Sequence, residues 1–299
     1  MKVVIFGCNG YLGKHLSDFL IKRNWYVIGY DISEKSLVGI SEYKIVDLTK
    51  KDMLSEVDIN VDYIFYFSGI TGTLSGFDSY NDFINVNEIG LLNLLNHCKI
   101  FKSKARFIFP STRLIYKGVK DKALDENAEK EFKTIYAINK WAGEQYVKQY
   151  NNFFNLKYTI FRIGVPYANL LSKNYSYGTV GFFMKKASAD EDIVLYGDGS
   201  YKRSFTHVQD ICNQIFCAIN NKSSENKILN ILGETLSLKD VALLIASKYG
   251  VNVTYCKWPL IDKKLESGDT IFNSDAITKM TDNFLEYSFK TWLNSINLK

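Results

Sequence analysis

Three kinds of residue are scarce in this 299-residue chain: it has three prolines, three histidines and five cysteines. His15, His97 and His207 lie far apart, and no HExxH or clustered Cys/His pattern occurs, so neither a structural nor a catalytic zinc is expected. Cys8, Cys98, Cys212, Cys217 and Cys256 are odd in number and contain no CxxC pair. Free thiols in a reducing compartment are therefore expected, not a disulfide framework. No apolar run reaches the roughly eighteen residues of a membrane span, and the glycines that interrupt MKVVIFGCNGYLG, with no small-residue cleavage site after them, argue against a signal peptide. The cytoplasm is the expected location. A long basic tract is also missing. The net charge is +5, but lysines alternate with acids, as in KSLVGISEYKIVDLTKKD, which points to anionic small molecules and away from nucleic acid.

What is present is globular: 46% hydrophobic and 23% charged residues, with twenty tyrosines and twenty phenylalanines. Residues 2–6, KVVIF, read as a buried strand, YLGKHLSDFLIKRN as an amphipathic helix, and 26–31, YVIGYD, as a second strand. That is a βαβ unit. Between its first strand and helix lies GCNGYLG, with Gly7, Gly10 and Gly13 where a tight turn, a bare backbone for a pyrophosphate and a close helix–strand contact are needed. The phosphates would face the helix amino terminus. Asn9, Tyr11 and Leu12 lie on the same turn. Asp31, eighteen residues after Gly13, ends the second strand, where a carboxylate accepts from an adenosine ribose and repels a 2′-phosphate. NAD(H) is preferred on that ground, although nearby Ser33 and Lys35 leave NADP(H) open.

Further strands follow at 42–47, 61–69 and 105–112, with NVNEIGLLNLLNHCKIF as a crossover helix between the last two. The expected fold is α/β: a Rossmann-type, doubly wound parallel sheet, carrying ligands at the carboxyl ends of its strands. Asp47 and Leu48 would border the adenine, and Phe67, Ser68 and Gly69 would lie along the cofactor. After about residue 165 the βα rhythm fades. Residues 1–165 are expected to form the dinucleotide-binding domain and 166–299 mainly a smaller substrate-binding lobe, with some segments, at about 205–235, returning to the first domain. Within the lobe, SLKDVALLIASKYG reads as a capped helix and FLEYSFKTWLNSINL as a final helix without the dense basic face of a membrane binder.

The chemistry is suggested by YAINK, residues 136–140. Tyr136 and Lys140 stand one helical turn apart on one face, in a segment where Ile135, Ile138, Ala142, Tyr146 and Tyr150 mark an apolar side. An ammonium beside a phenol favours phenolate, as alcohol oxidation or ketone reduction requires. The alternative is a partly buried tyrosine over a snorkelling lysine. Thr112, at the end of ARFIFPST, adds a hydroxyl where a nicotinamide would arrive, although such hydroxyls also cap helices.

In order along the chain, GCNGYLG, Asp31, Asp47-Leu48, NEIGLLNLL, STRLIY, YAINK, FRIGVP, GDGSYKRSFTHVQD and GDTIFNSDAITK resemble the extended short-chain dehydrogenase/reductase family, in particular its nucleotide-sugar epimerases, dehydratases and reductases. The resemblance implies that Tyr136 is the acid/base, that Lys140 orients it and binds the nicotinamide ribose, and that Thr112 bonds the reacting oxygen. It also implies that Asn87 supports the cofactor, that Arg113 lies on the substrate side, and that Arg203 meets the diphosphate of a UDP- or dTDP-linked sugar. A surface Arg203 paired with Asp198 or Asp210 is the plainer reading. The chain departs from the family in having Val165 where relatives often have Asn, and Glu266-Ser267-Gly268-Asp269 where they have a second phosphate-binding arginine. Arg113 and Leu114 replace the Asp-Glu pair of dehydratases, which disfavours water elimination. A reductase of a 4-keto sugar is slightly favoured over a 4-epimerase, with a non-catalytic dinucleotide-binding regulator as the remaining alternative. Helices over 88–102 and 133–150 either pair across the two-fold axis of a homodimer, as in relatives, or meet solvent.

Overall fold

The computed structural model describes residues 1–171, 178–281 and 285–297. They fall into two compact units. The first comprises Met1–Ile115, Thr134–Arg162 and Ile219–Leu229, and the second comprises Tyr116–Lys133, Ile163–Ala218 and Asn230–Lys299.

In the first unit a seven-stranded sheet has the spatial order Lys227–Asn230, Tyr158–Ile163, Arg106–Thr112, Tyr63–Tyr66, Lys2–Phe6, Tyr26–Asp31 and Glu42–Ile45. The strands from Arg106–Thr112 to Glu42–Ile45 pair in parallel, with Val3 opposite both Val27 and Tyr63. Strands covered on both faces need no polar alternation, which is why Val3, Val4, Ile5, Ile64 and Phe65 are all fully buried. Strand order reverses at Lys2–Phe6, so the carboxyl ends of Lys2–Phe6 and Tyr63–Tyr66 border the crevice where such sheets hold ligands. The doubly wound sheet expected from the sequence is therefore present. On one face Leu91, Leu94 and Leu95 of the helix Gly90–Ile100 and Val147 of the helix Ile135–Phe154 pack with Phe107 and Phe109. Each such side chain contributes about 1.5–3 kcal/mol when fully buried.

The second unit holds a three-stranded sheet of Val165–Tyr167, Lys202–His207 and Glu234–Ser237, together with the strand pairs Ile193–Tyr196 with Val253–Cys256 and Ala123–Leu124 with Ile271–Phe272. The helix Leu238–Tyr249 starts with the expected cap, a reciprocal box between Ser237 and Asp240, and stops at Gly250, whose φ is 77°. The final helix is Phe289–Ser295, shorter than the expected 284–298, of which 284 and 298 lie outside the described residues. Residues 172–177 also lie outside the described residues.

The two units interleave along the chain: within 205–235 the segment 219–229 belongs to the sheet unit, and 116–133 belongs to the second unit. Long-range pairing is the reason: Lys202–His207 is bonded to Val165–Tyr167 on one side and Glu234–Ser237 on the other, and Ala123–Leu124 to Ile271–Phe272. No helix of the described residues is long and apolar enough to cross a membrane.

Candidate active site

The strand Lys2–Phe6 ends at Gly7, which adopts φ 73°. A Cβ on Gly7 would lie 2.6 Å from Ser68 N, and one on Gly13 would lie 2.1 Å from Gly7 O. Both glycines are thus demanded by backbone meeting backbone. Gly10 closes the turn by donating its N–H to Gly7 O at 3.0 Å, and the helix Tyr11–Ile21 follows with no side-chain cap at Gly10. Its positive end, with Tyr11 and Leu12 in the first turn, adjoins a turn stripped of side chains. A diphosphate fits such a cradle.

Asp31 is tied into this turn. One carboxylate oxygen accepts from Asn9 N at 3.0 Å, and the other from Ser33 N at 3.2 Å and Ser33 Oγ at 3.0 Å. The Asn9 side chain points to the neighbouring loop, donating to Lys35 O at 2.9 Å and accepting from Leu37 N at 2.8 Å. The Asn9 backbone, not its carboxamide, therefore belongs to the cradle. Asp47 accepts from Thr49 N and Oγ1, and Leu48 O accepts from Asn93 Nδ2. Phe67 N is bonded to Phe6 O at 2.9 Å, which brings Phe67, Ser68 and Gly69 beside Gly7.

Thr134 caps the helix that carries Tyr136 and Lys140: its hydroxyl accepts from Ala137 N, so Ile135–Phe154 is helical and Tyr136 lies in the first turn. Asn155, at φ 58°, ends it. Gly143 permits a close approach to the sheet, since a Cβ there would lie 2.5 Å from the Phe109 ring. The buried face differs from the one apolar spacing predicts. Ile138 is 46% exposed, whereas Ala137, Asn139, Lys140, Gly143, Glu144 and Val147 are buried. Charged residues can face inward here because each is paired. Glu144 accepts from Arg162 Nε at 2.9 Å and Nη2 at 2.7 Å, and Lys140 Nζ donates to Pro110 O at 2.9 Å.

Lys140 is the centre of the arrangement. Its Nζ lies 5.9 Å from the Tyr136 ring centroid and 4.9 Å from that of Phe109. A Cβ added to Gly69 would come within 3.9 Å of the same nitrogen and 3.0 Å of Asn87 Oδ1. Burial pulls the Lys140 ammonium down to about 8, with the Glu144 carboxylate opposing the shift. Asn87 holds the loop after Gly69 by both backbone groups, accepting from Ile70 N at 2.8 Å and donating to Ile70 O at 3.0 Å.

Thr112 ends the strand Arg106–Thr112. Its Oγ1 accepts from Leu114 N at 3.3 Å, which leaves the hydroxyl proton to be donated elsewhere. Arg113 opens the short turn Arg113–Ile115. Beside Thr112, the buried Ser111 hydroxyl has no hydrogen-bond partner among the described residues. A cavity of about 540 Å³ among Cys98, Lys104 and Phe154 lies at the other end of the helix Ile135–Phe154 and includes none of these groups.

In the second unit Arg203 is buried and pairs with neither acid named as its alternative partner. Its Nη2 donates to the two oxygens of Glu266 at 2.9 and 2.8 Å, and its Nη1 to Gly268 O at 2.9 Å. Asp198 bonds Ser200, and Asp210 accepts from the N–H groups of Glu286 and Tyr287. Sequence reasoning named Glu266 only as a lost phosphate ligand. It missed Glu88, Asn139, Tyr146, Glu144 and Arg162 as polar partners in the first unit.

Known proteins resemble this chain in sequence and in fold. A putative UDP-glucose 4-epimerase of Methanocaldococcus jannaschii is 24% identical over 83% of this chain and 82% of its own length. CDP-paratose 2-epimerase of Salmonella typhi is 25% identical over 97% of this chain and 95% of its own. Among solved structures, UDP-glucuronic acid 4-epimerase from Bacillus cereus, in complex with UDP-glucuronic acid and NAD, superposes with a TM-score of 0.83 at 20% identity, covering 99% of this chain and 97% of that one. Residues 3–231 match the NAD dependent epimerase/dehydratase family, and the chain belongs to that family.

Proposed function

We propose that the chain is an NAD-dependent nucleotide-sugar 4-epimerase, acting on a UDP- or dTDP-linked sugar. The observation that carries the chemistry is the buried ammonium of Lys140, held on Pro110 O beside both the Tyr136 ring and Gly69. The named relatives, epimerases of nucleotide sugars, favour inversion over the net reduction that the sequence alone slightly favours.

When bound, NAD supplies the acceptor and donor of hydride. The residues that would hold it are the Gly7–Gly13 turn for the diphosphate, Asp31 for the adenosine ribose, Asp47 and Leu48 beside the adenine, and Phe67, Ser68, Gly69 and Asn87 along the rest. Lys140 binds the nicotinamide ribose. Tyr136 Oη takes the proton of the sugar 4-hydroxyl and returns one to the same oxygen, while the Lys140 ammonium favours the phenolate. Thr112 Oγ1 donates its proton to that oxygen and orients it. Arg113 contributes on the substrate side. Arg203 can meet a diphosphate only if Glu266 releases it, because the carboxylate now holds two of its N–H groups.

The same reading includes a homodimer. Ile89, Ile100, Ile138 and Phe153, on or beside the helices Gly90–Ile100 and Ile135–Phe154, are 40–74% exposed, and a second copy would cover them. Sedimentation as a monomer at micromolar concentration would remove that part. A cytoplasmic location accords with five free cysteines.

The test is incubation with a panel of nucleotide sugars and their 4-keto forms, following product stereochemistry and net cofactor oxidation together. Inversion at C4 without net NADH consumption is expected. Stoichiometric NADH consumption with a 4-keto sugar would make the protein a 4-ketoreductase instead. Tyr136→Phe should abolish hydride transfer and leave dinucleotide binding largely intact; unchanged turnover would remove Tyr136 as the acid/base, whereas a wild type that binds NAD and converts no sugar of the panel would leave the non-catalytic, dinucleotide-binding reading.

A further inference from the structure

We infer that Glu88, Asn139 and Tyr146 are positioning residues that lock the loop after Gly69 to the helix carrying Tyr136 and Lys140. The inference rests on the proposed activity for its kinetic consequence, but not for its structural one.

The link can be followed atom by atom. Asn87 grips both backbone groups of Ile70 and donates from Nδ2 to Asn139 Oδ1 at 3.4 Å. Asn139 Nδ2 donates to Glu88 Oε1 at 2.5 Å, and the other Glu88 oxygen accepts from Tyr146 OH at 2.8 Å. Asn87 and Asn139 are 5% and 2% exposed, so these bonds have little competition from water. Burial, together with the neighbouring Glu88 carboxylate, pushes the Tyr146 phenol up to about 12, which keeps it a donor across the working pH range.

The backbone is shaped for the link. Residues Asn85–Ile89 form a π-helical turn between the α-helical segments Tyr80–Ile84 and Gly90–Ile100. A π turn widens the helix and redirects consecutive side chains. Here Asn87 reaches the loop while Glu88, the next residue, reaches two positions on the facing helix. Asn139 directly precedes Lys140, and Tyr146 lies under two turns further along. Two attachment points on one helix restrain its rotation as well as its distance. The ammonium of Lys140 must stay beside Gly69 for the phenol and the cofactor ribose to share it, and this bracing holds it there.

The experiment compares Asn139→Leu, Glu88→Ala and Glu88→Gln with the wild type, all saturated with NAD. Glutamine keeps an acceptor for Asn139 and can donate to the Tyr146 oxygen, so it should restore most of what alanine loses. For Asn139→Leu and Glu88→Ala the expected result is a fall in kcat of about 100-fold, the cost of a misplacement of about 1 Å, with the sugar KM nearly unchanged. The primary isotope effect from a 4-deuterated sugar should rise, and exchange of the Ile70 amide hydrogen should quicken. Unchanged kcat with unchanged Ile70 exchange overturns the inference. So does a loss that tracks only a lower melting temperature and is not rescued by glutamine. Should the wild type invert no nucleotide sugar, the proposed activity fails, while Ile70 exchange still decides whether the link exists.

Discussion

Replacing Lys140 with methionine separates the stability of the fold from its chemistry. The lysine is 7% exposed, and its Nζ donates to Pro110 O at 2.9 Å. Burial lowers its pKa from 10.5 to about 8. At 1.36 kcal/mol for each tenfold change, holding the charged form in the fold at neutral pH costs roughly 3 kcal/mol. Methionine removes that cost but also the charged hydrogen bond, itself worth about 1.5–3 kcal/mol, so net stability at pH 7 should change by no more than about 2 kcal/mol. Under the proposed mechanism turnover should fall by about 100-fold or more. The pH dependence fixes the sign. Below pH 8 the lysine is charged in both folded and unfolded chains, and the fold bears the full cost. Between pH 8 and 10.5 the folded chain has shed the proton and the unfolded chain has not, so the wild type gains stability relative to the variant; above 10.5 the difference levels off. Thermal unfolding of both proteins at pH 7 and pH 10, with turnover measured alongside, checks this. Wild-type turnover should decline as pH rises through about 8. Lys140→Met that keeps wild-type turnover, or a stability difference that does not move between pH 7 and 10, would refute the reasoning.

Three further outcomes follow from the same geometry. Gly13→Ala drives a methyl group to 2.1 Å from Gly7 O, so dinucleotide affinity should fall at least about tenfold, as read by NADH fluorescence. Titration with NAD(H) and NADP(H) should show tighter NAD(H) binding because the Asp31 carboxylate repels a 2′-phosphate, and clearly tighter NADP(H) binding would remove that role from Asp31. Glu266→Gln should cost a few kcal/mol in urea unfolding, since it leaves the Arg203 guanidinium buried with a weaker partner. If that guanidinium serves the sugar diphosphate, the same variant lowers the substrate KM; a raised KM would mean that Arg203 and Glu266 act as a structural pair.

The contrast between what the sequence disclosed and what it concealed is clearest on one helix. Tyr136 and Lys140 were legible because their relation is local: four residues apart, after a capping threonine, they share a face whatever surrounds them. The glycine turn was legible for the same reason, since strand, Gly7, Gly13 and helix are contiguous. The buried side of the helix was not. Apolar spacing marks Ile135, Ile138, Ala142, Tyr146 and Tyr150, yet Ile138 is 46% exposed and the side turned inward carries Asn139, Lys140 and Glu144. Hydropathy assigns a charge to solvent unless its partner is known, and these partners stand far away in the chain: Arg162 for Glu144, Pro110 for Lys140, Glu88 for Asn139.

Distance in the chain also explains the interleaving of the two units and the reading of Arg203. Ala123–Leu124 pairs with Ile271–Phe272, and Arg203 with Glu266, through contacts that no local period announces. The consequence reaches the substrate. The resemblance implies that Arg203 meets a diphosphate, but a buried guanidinium holding a carboxylate through two N–H groups has already been neutralised, and a diphosphate must do better than that carboxylate to displace it. Under the proposed function Glu266 would therefore set how strongly a nucleotide can engage Arg203, and a ligand that leaves this pair closed must find its affinity in contacts to other residues.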